Sequence, residues 1–321
     1  MSAVDTPLEK VPPPRRAAAG RGPRRFGGAV LPWTLLAPTI GVLLLVLGYP
    51  LVRLVVLSFK QFGQAELWQG LPGQWQGFAN YTRVLGDSVF WGVVLRTLLF
   101  TLAAVLLTLV VGMGVALLMQ RVSPWVKALL NIVLVASWAM PVVVAITVFK
   151  WMFDSDYGVL NWLLSRLPGA DFSGHNWFTD TKQGFLVITL MVVWGAIPFV
   201  AITLHAGLTQ VPRELEEAAR MDGAGPAKVF RHVTLPLLRP IIVMLTTLSV
   251  IWDMGVFPQV FLMRDGHPEP AYQVLTTYSY DQAFVSNDYD AGAAIAVVTV
   301  LLLLGVMAVY MRQMLKIGEV E

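Results

Sequence analysis

Long runs without a single Asp, Glu, Lys or Arg dominate this chain. Phe26–Val52, Thr97–Gln120, Ala128–Phe149, Gln183–Pro212 and Ala291–Met311 are five of them, and Pro240–Met263 is a sixth interrupted only by Asp253. A membrane-spanning helix needs about 20 mostly apolar residues, because the hydrocarbon core is about 30 Å thick. The pattern therefore predicts six spans, near 30–58, 92–120, 128–152, 184–208, 237–262 and 290–312. Strand-like alternation is absent, so the expected fold is an all-α polytopic membrane protein and not a barrel. Between the fourth and fifth spans lies a charged loop, 209–236, which forms an island of polar residues in an apolar chain.

Composition agrees with this reading. Of the 321 residues, 56% are hydrophobic and 13% are charged, and the mean hydropathy is +0.65. Soluble domains carry about 25% charged residues. Residues 1–28 differ from the rest. Pro12-Pro13-Pro14 and six basic residues up to Arg25 cannot bury a core, so a disordered basic tail is expected. A cleaved signal peptide is the competing reading, but the apolar run that follows is longer than an ordinary signal core. The six-span domain is expected over 29–316, with a short tail at 317–321. Six spans put both ends on one side. With the N-terminus in the cytoplasm, fifteen of the 23 Lys and Arg fall inside, which is the bias that sets orientation.

Several chemistries are excluded. The chain has no cysteine, so disulfides and thiolate-bound metals are ruled out. None of its lysines is followed by Ser or Thr, so no phosphate-cradling P-loop is present. The four histidines are scattered without metal-ligand spacing. Asp154 and Asp156 could suggest a cation site, but a solvated cap is the plainer reading. No catalytic residues, bound cofactor or metal are expected, and the net charge of +3 gives no nucleic-acid signal. A membrane enzyme lacks its catalytic set. An ion-coupled carrier is the other rival, and usually shows more intramembrane carboxylates than Asp253.

The loop has a helical grammar. Pro212 suits the first position of a helix, and Glu214, Glu216 and Glu217 suit its positive end. Arg220 follows Glu216 by four residues, and Gly223 suits a left-handed stop. Pro226 can open a second short helix with Val229, Phe230 and Val233 on one stripe, ended by Leu235-Pro236. Helices this short need a surface to pack on. Phe230 and Met221 are the apolar anchors for a groove in a partner, or for the protein's own helix ends. Within the spans, Asp253 is the only deep acid, and an ionisable group at depth faces a cavity or a partner. Trp252, Trp138 and Trp194, with Gln259 further along the fifth span, complete a candidate solute pathway of aromatic faces and polar groups. Pro141 and Pro198 are expected to kink the third and fourth spans.

Glu217-Ala218-Ala219, Asp222-Gly223-Ala224, Phe230 and Leu235-Pro236 together resemble the EAA loop of ABC importer permeases. Tyr49-Pro50, Ser58-Phe59, Phe78-Ala79-Asn80-Tyr81, Gly158-Val159-Leu160-Asn161, Trp194 with Pro198-Phe199, and Gly292-Ala293-Ala294 resemble the carbohydrate-uptake permeases of the maltose/glycerol-phosphate type, first-subunit branch. The long external insertion of the maltose permease is missing. Arg264-Asp265-Gly266-His267-Pro268 stands where that family commonly has Gly-Gly-Pro. The resemblance implies a bacterial cytoplasmic-membrane protein that pairs with a second homologous permease. It implies two ATP-binding subunits, using ATP and Mg, docked on the 209–236 loop. It further implies an external solute-binding protein that delivers a sugar or a glycerol-phosphate-like solute. A reporter enzyme fused to the C-terminus is expected to be active only if it works in the cytoplasm. Activity only outside the cell would reverse the orientation.

Overall fold

The computed structural model describes residues 31–318. The expected tail at 1–28 and the last residues of the expected C-terminal tail, 319–321, lie outside them. The chain divides into two compact units, residues 1–52 and 53–321. The first contains α1 (Leu31–Leu43), a π-helical turn at Leu44–Gly48 and the opening of α2 (Tyr49–Ser58). Pro50 has no N–H for the carbonyl four residues back, and the helix loosens to the wider spacing just ahead of it. Its apolar side chains, among them Trp33, Leu35 and Leu45, are exposed.

The second unit follows with β1 (Lys60–Gln61), α3 (Gln64–Gln69), β2 (Gln74–Trp75) and α4 (Ala79–Gly86). β1 and β2 pair antiparallel, with Lys60 opposite Trp75. Next come α5 (Ser88–Arg121), α6 (Pro124–Trp138), α7 (Val142–Met152), α8 (Val159–Leu164) and α9 (Thr181–Thr209). The charged loop supplies α10 (Arg213–Met221), α11 (Pro226–Val229), a π turn at Phe230–Thr234 and α12 (Leu235–Leu237). α13 (Arg239–Met254), α14 (Pro258–Met263), α15 (Leu275–Tyr280) and α16 (Tyr289–Gly318) complete the chain.

Four helical stretches among the described residues are long and apolar enough to cross a membrane: Trp33–Ser58, Ser88–Arg121, Thr181–Thr209 and Tyr289–Met314. There are up to six if each of two bent pairs is one span. α6 and α7 meet at 99°, and the helical run Pro226–Leu237 meets α13 at 71°. The expected kink at Pro141 is thus a full break, since Pro141 is extended (ψ 132) and only then does α7 begin. Pro198, by contrast, lies inside α9 without ending it. The expected single fifth span is also corrected. α13 stops at Gly255, and Pro258 restarts the chain as α14, so Asp253 and Gln259 lie on different helices.

α5 and α9 form the centre of the unit. They run parallel: Phe100 meets Phe185 toward their N-terminal ends, and Gly112 meets Val200 further along. A Cβ on Gly112 would come within 2.6 Å of Val200 Cγ1, so only glycine permits this approach. The short elements at 59–87 and 153–180 therefore share one end of the unit, and 210–238 lies at the other. Charged and amide groups tie down the first end. Asn80 Nδ2 donates to Ser58 O (3.0 Å) and Lys60 O (2.8 Å), and Arg83 bridges Asp288 and Asp290 at 3.1 and 3.0 Å. Asn161 donates to His175 O at 2.8 Å and accepts from Trp177 Nε1 at 2.7 Å. Asp154 caps the turn after α7 by accepting from the N–H groups of Asp156 and Tyr157, which holds its carboxyl below the usual range. The solvated-cap reading of that acid therefore holds.

Asn161 is buried and links three segments. Asn161→Ala leaves the Trp177 indole and the His175 carbonyl without their partner. A loss of about 1–3 kcal/mol is expected for such orphaned groups, read as a lower thermal-unfolding temperature in detergent.

Candidate functional site

Two sites stand at different depths. The first is the charged loop. α10 opens on Pro212, which is extended and caps the helix from outside (ψ 125) instead of occupying its first helical position as expected. Glu214 and Glu216 fill the first turn. Glu216 reaches Arg220 at 3.7 Å and accepts from Thr234 Oγ1 at 3.1 Å. This second bond folds the end of the loop back onto its beginning. Glu217 and Ala218 are exposed, Ala219 is half-buried and Met221 is 89% exposed.

The bend at Asp222-Gly223 forms as expected. Gly223 is left-handed (φ +83), and its N–H bonds Arg220 O while that of Ala224 bonds Ala219 O, each at 3.0 Å. Nothing lies within 4 Å of a Cβ built there, so backbone conformation alone makes the position a glycine. The second helix buries Val229 and half-buries Phe230, so its apolar stripe rests partly on the protein itself. Leu235-Pro236 does not end this helix, contrary to expectation. The π turn at Phe230–Thr234 lets Leu235 N–H reach Phe230 O, and Pro236 then sits at the start of a fresh turn that needs no N–H from it. The break comes at Leu238 (ψ −6), where Pro240 withholds the next donor.

The second site is a cavity of 310 Å³. Trp138 from α6, Trp194 from α9, Trp252 and Asp253 from α13, and Gln259 from α14 all line it. All five pathway residues expected from sequence therefore converge. Phe199 braces the wall, its ring 6.2 Å from Trp138 and 5.5 Å from Trp252, and Phe149 packs on Trp194 at 5.7 Å. Asp253 is 5% exposed and forms no ion pair among the described residues. Gln259 Oε1 is buried without a hydrogen-bond partner. Aromatic faces beside free acceptors can receive ring C–H groups and hydroxyl donors together.

Sequence reasoning missed Ser137, Met140 and Gly195, which also line the cavity. Their only signal was position, beside Trp138 or Trp194. It missed Thr234 too, whose pairing with Glu216 spans 18 residues. The Arg264–Pro268 departure forms a fastening. Arg264 pairs with Glu269 and lies over the rings of Tyr272 (4.5 Å) and Phe178 (5.1 Å). The bond from Arg264 holds the Glu269 carboxyl below its usual value. Asp265 pairs with Lys150.

Comparison with known proteins completes the picture. Residues 108–316 match the family described as binding-protein-dependent transport system inner membrane component. The chain is 42% identical, over 92% of its length and 89% of the relative's, to the diacetylchitobiose uptake system permease protein DasB of Streptomyces coelicolor. It is 36% identical, over 89% of its length and 91% of the relative's, to the sulfoquinovosyl glycerol transport system permease protein SmoG of Agrobacterium fabrum. A chain of a bacterial ABC transporter involved in the import of the acidic polysaccharide alginate shares its fold, with a TM-score of 0.73 at 22% identity, over 88% of this chain and 95% of that one. On the match across 108–316 and the relatives that span nearly its whole length, this chain belongs to the binding-protein-dependent transport system inner membrane components, the membrane permeases of ABC transporters.

Proposed function

We propose that the chain imports a sugar across the bacterial cytoplasmic membrane as one permease of an ATP-driven complex. The observation that carries the sugar reading is the cavity, where three tryptophans from three helices face an unpaired carboxylate and an unpartnered amide oxygen. The named cargoes of the relatives, diacetylchitobiose and sulfoquinovosyl glycerol, support it. In this reading each bent pair makes one span, giving six, with both termini and the 209–236 loop in the cytoplasm.

The chain itself carries no ATP site, and ATP and Mg belong to two partner ATPase subunits. Each ATPase grips one such loop, here through exposed Glu217, Ala218 and Met221 and the bend Asp222-Gly223-Ala224. Ala219, Phe230 and Leu235, each half-buried, shape that surface from beneath, and Pro236 is exposed with it. A second homologous permease completes the pathway, and an external binding protein loads it. Only a difference in binding between inward- and outward-facing states can drive the switch. The Glu216–Thr234 bond, which ties the end of the loop to its first helix, supports the reading that the loop transmits that difference as a unit.

Gly223→Val forces a β-branched residue into the left-handed region, at about 1–2 kcal/mol. Uptake and stimulated ATP hydrolysis are expected to fall about tenfold or more together, while the membrane level of the complex stays near wild type. Normal uptake with normal stimulation would remove Gly223 from the coupling surface. Asp253→Ala is expected to abolish uptake without loss of co-purifying subunits, and wild-type apparent affinity in that variant would remove the cavity from the pathway.

A further inference from the structure

The charge of the cavity narrows what it can carry. Asp253 is the one ionisable side chain in its wall, and neither Lys, Arg nor His lines it. The cations on the lining helices are remote or already neutralised. Lys127 on α6 and Lys182 on α9 lie about 16 and 18 Å along their helices from Trp138 and Trp194, and Arg239 lies about 21 Å from Asp253, by a rise of 1.5 Å per residue. His205 stands nine residues beyond Ala196, about 14 Å along α9. The nearer two are Lys150 at the end of α7 and Arg264 after α14. Each is held by a carboxylate, Asp265 and Glu269 respectively. The charged group that this chain offers a solute, the Asp253 carboxylate, is an acceptor, as is the unpartnered Gln259 Oε1, and the donors in the wall, the indole N–H groups, the Gln259 amide and the Ser137 hydroxyl, carry no charge.

We infer that this pathway is built for a saccharide without anionic groups, bound through hydroxyl or amide N–H donors at Asp253 and Gln259 with its ring faces on the tryptophans. A uronate, sulfonate or phosphate entering the cavity would be dehydrated beside the Asp253 carboxylate, with only neutral donors and no cation from this chain to replace the lost water. The inference rests on the cavity being the sugar site.

The test uses the full chain purified with its co-purifying subunits and without binding protein. Tryptophan fluorescence is titrated with neutral disaccharides (maltose, cellobiose, diacetylchitobiose) and with acidic ones (digalacturonate, dimannuronate). The signal is taken as the difference between wild type and Trp194→Phe. At least one neutral sugar is expected to quench at concentrations tenfold or more below any acidic one. Gln259→Lys is expected to narrow or invert that gap. Equal or stronger quenching by the acidic set leaves the sugar site standing and overturns the charge selectivity. No difference signal with any sugar removes the cavity as a saccharide site, and the inference with it.

Discussion

A backbone carbonyl or N–H in hydrocarbon must find its partner inside the protein, and this constraint organises the structure. Continuous helices meet it unaided, which is why α5, α9 and α16 run for 34, 29 and 30 residues. Where a helix breaks, the freed groups need a polar place. The chain breaks at Pro141 and again between Gly255 and Pro258, and the residues beside both breaks line the same cavity. Local hydrogen bonds recover part of the loss, from Ala145 N–H to Pro141 O and from Thr276 Oγ1 to Val256 O. The cavity is thus a consequence of two broken helices meeting beside α9, and its position follows from where the prolines are.

The same constraint explains why the polar residues collect at the two ends. At one end, polar side chains tie short helices together: Asn80, Asn161 and Arg83 bond to separate segments, and Arg264 lies over the ring of distant Phe178. At the other, the loop remains accessible, with Met221 and Glu217 exposed beside a bend that glycine alone makes comfortably. One end is thus tied by side-chain bonds and the other left accessible. About 21 Å of α13, from Arg239 to Asp253, separates the loop from the cavity.

Much of this was legible in the chain itself. Runs free of charge marked the spans, and Pro–acid–Gly–Pro marked the two loop helices and their bend. The tryptophans and Asp253 could be picked out because each is an uncommon residue at depth. Thr234 could not, because an unremarkable threonine becomes a partner only when the chain folds back on Glu216. Pro236 misled for a related reason. A proline sets its own φ and withholds its own N–H, but whether the helix stops depends on what can absorb the missing bond. A π turn did so before Pro236, whereas at Pro141 the helix stops and α7 begins anew.

The sequence by itself determined the membrane-helical class, the charged loop and the candidate residues at depth, because hydropathy and turn chemistry act locally. The tertiary structure decided that the third and fifth apolar runs are broken, that Asp253 and Gln259 come from separate helices, and that five scattered residues meet in one space. Those outcomes depend on packing between helices, and packing is a property of surfaces that lie far apart along the chain.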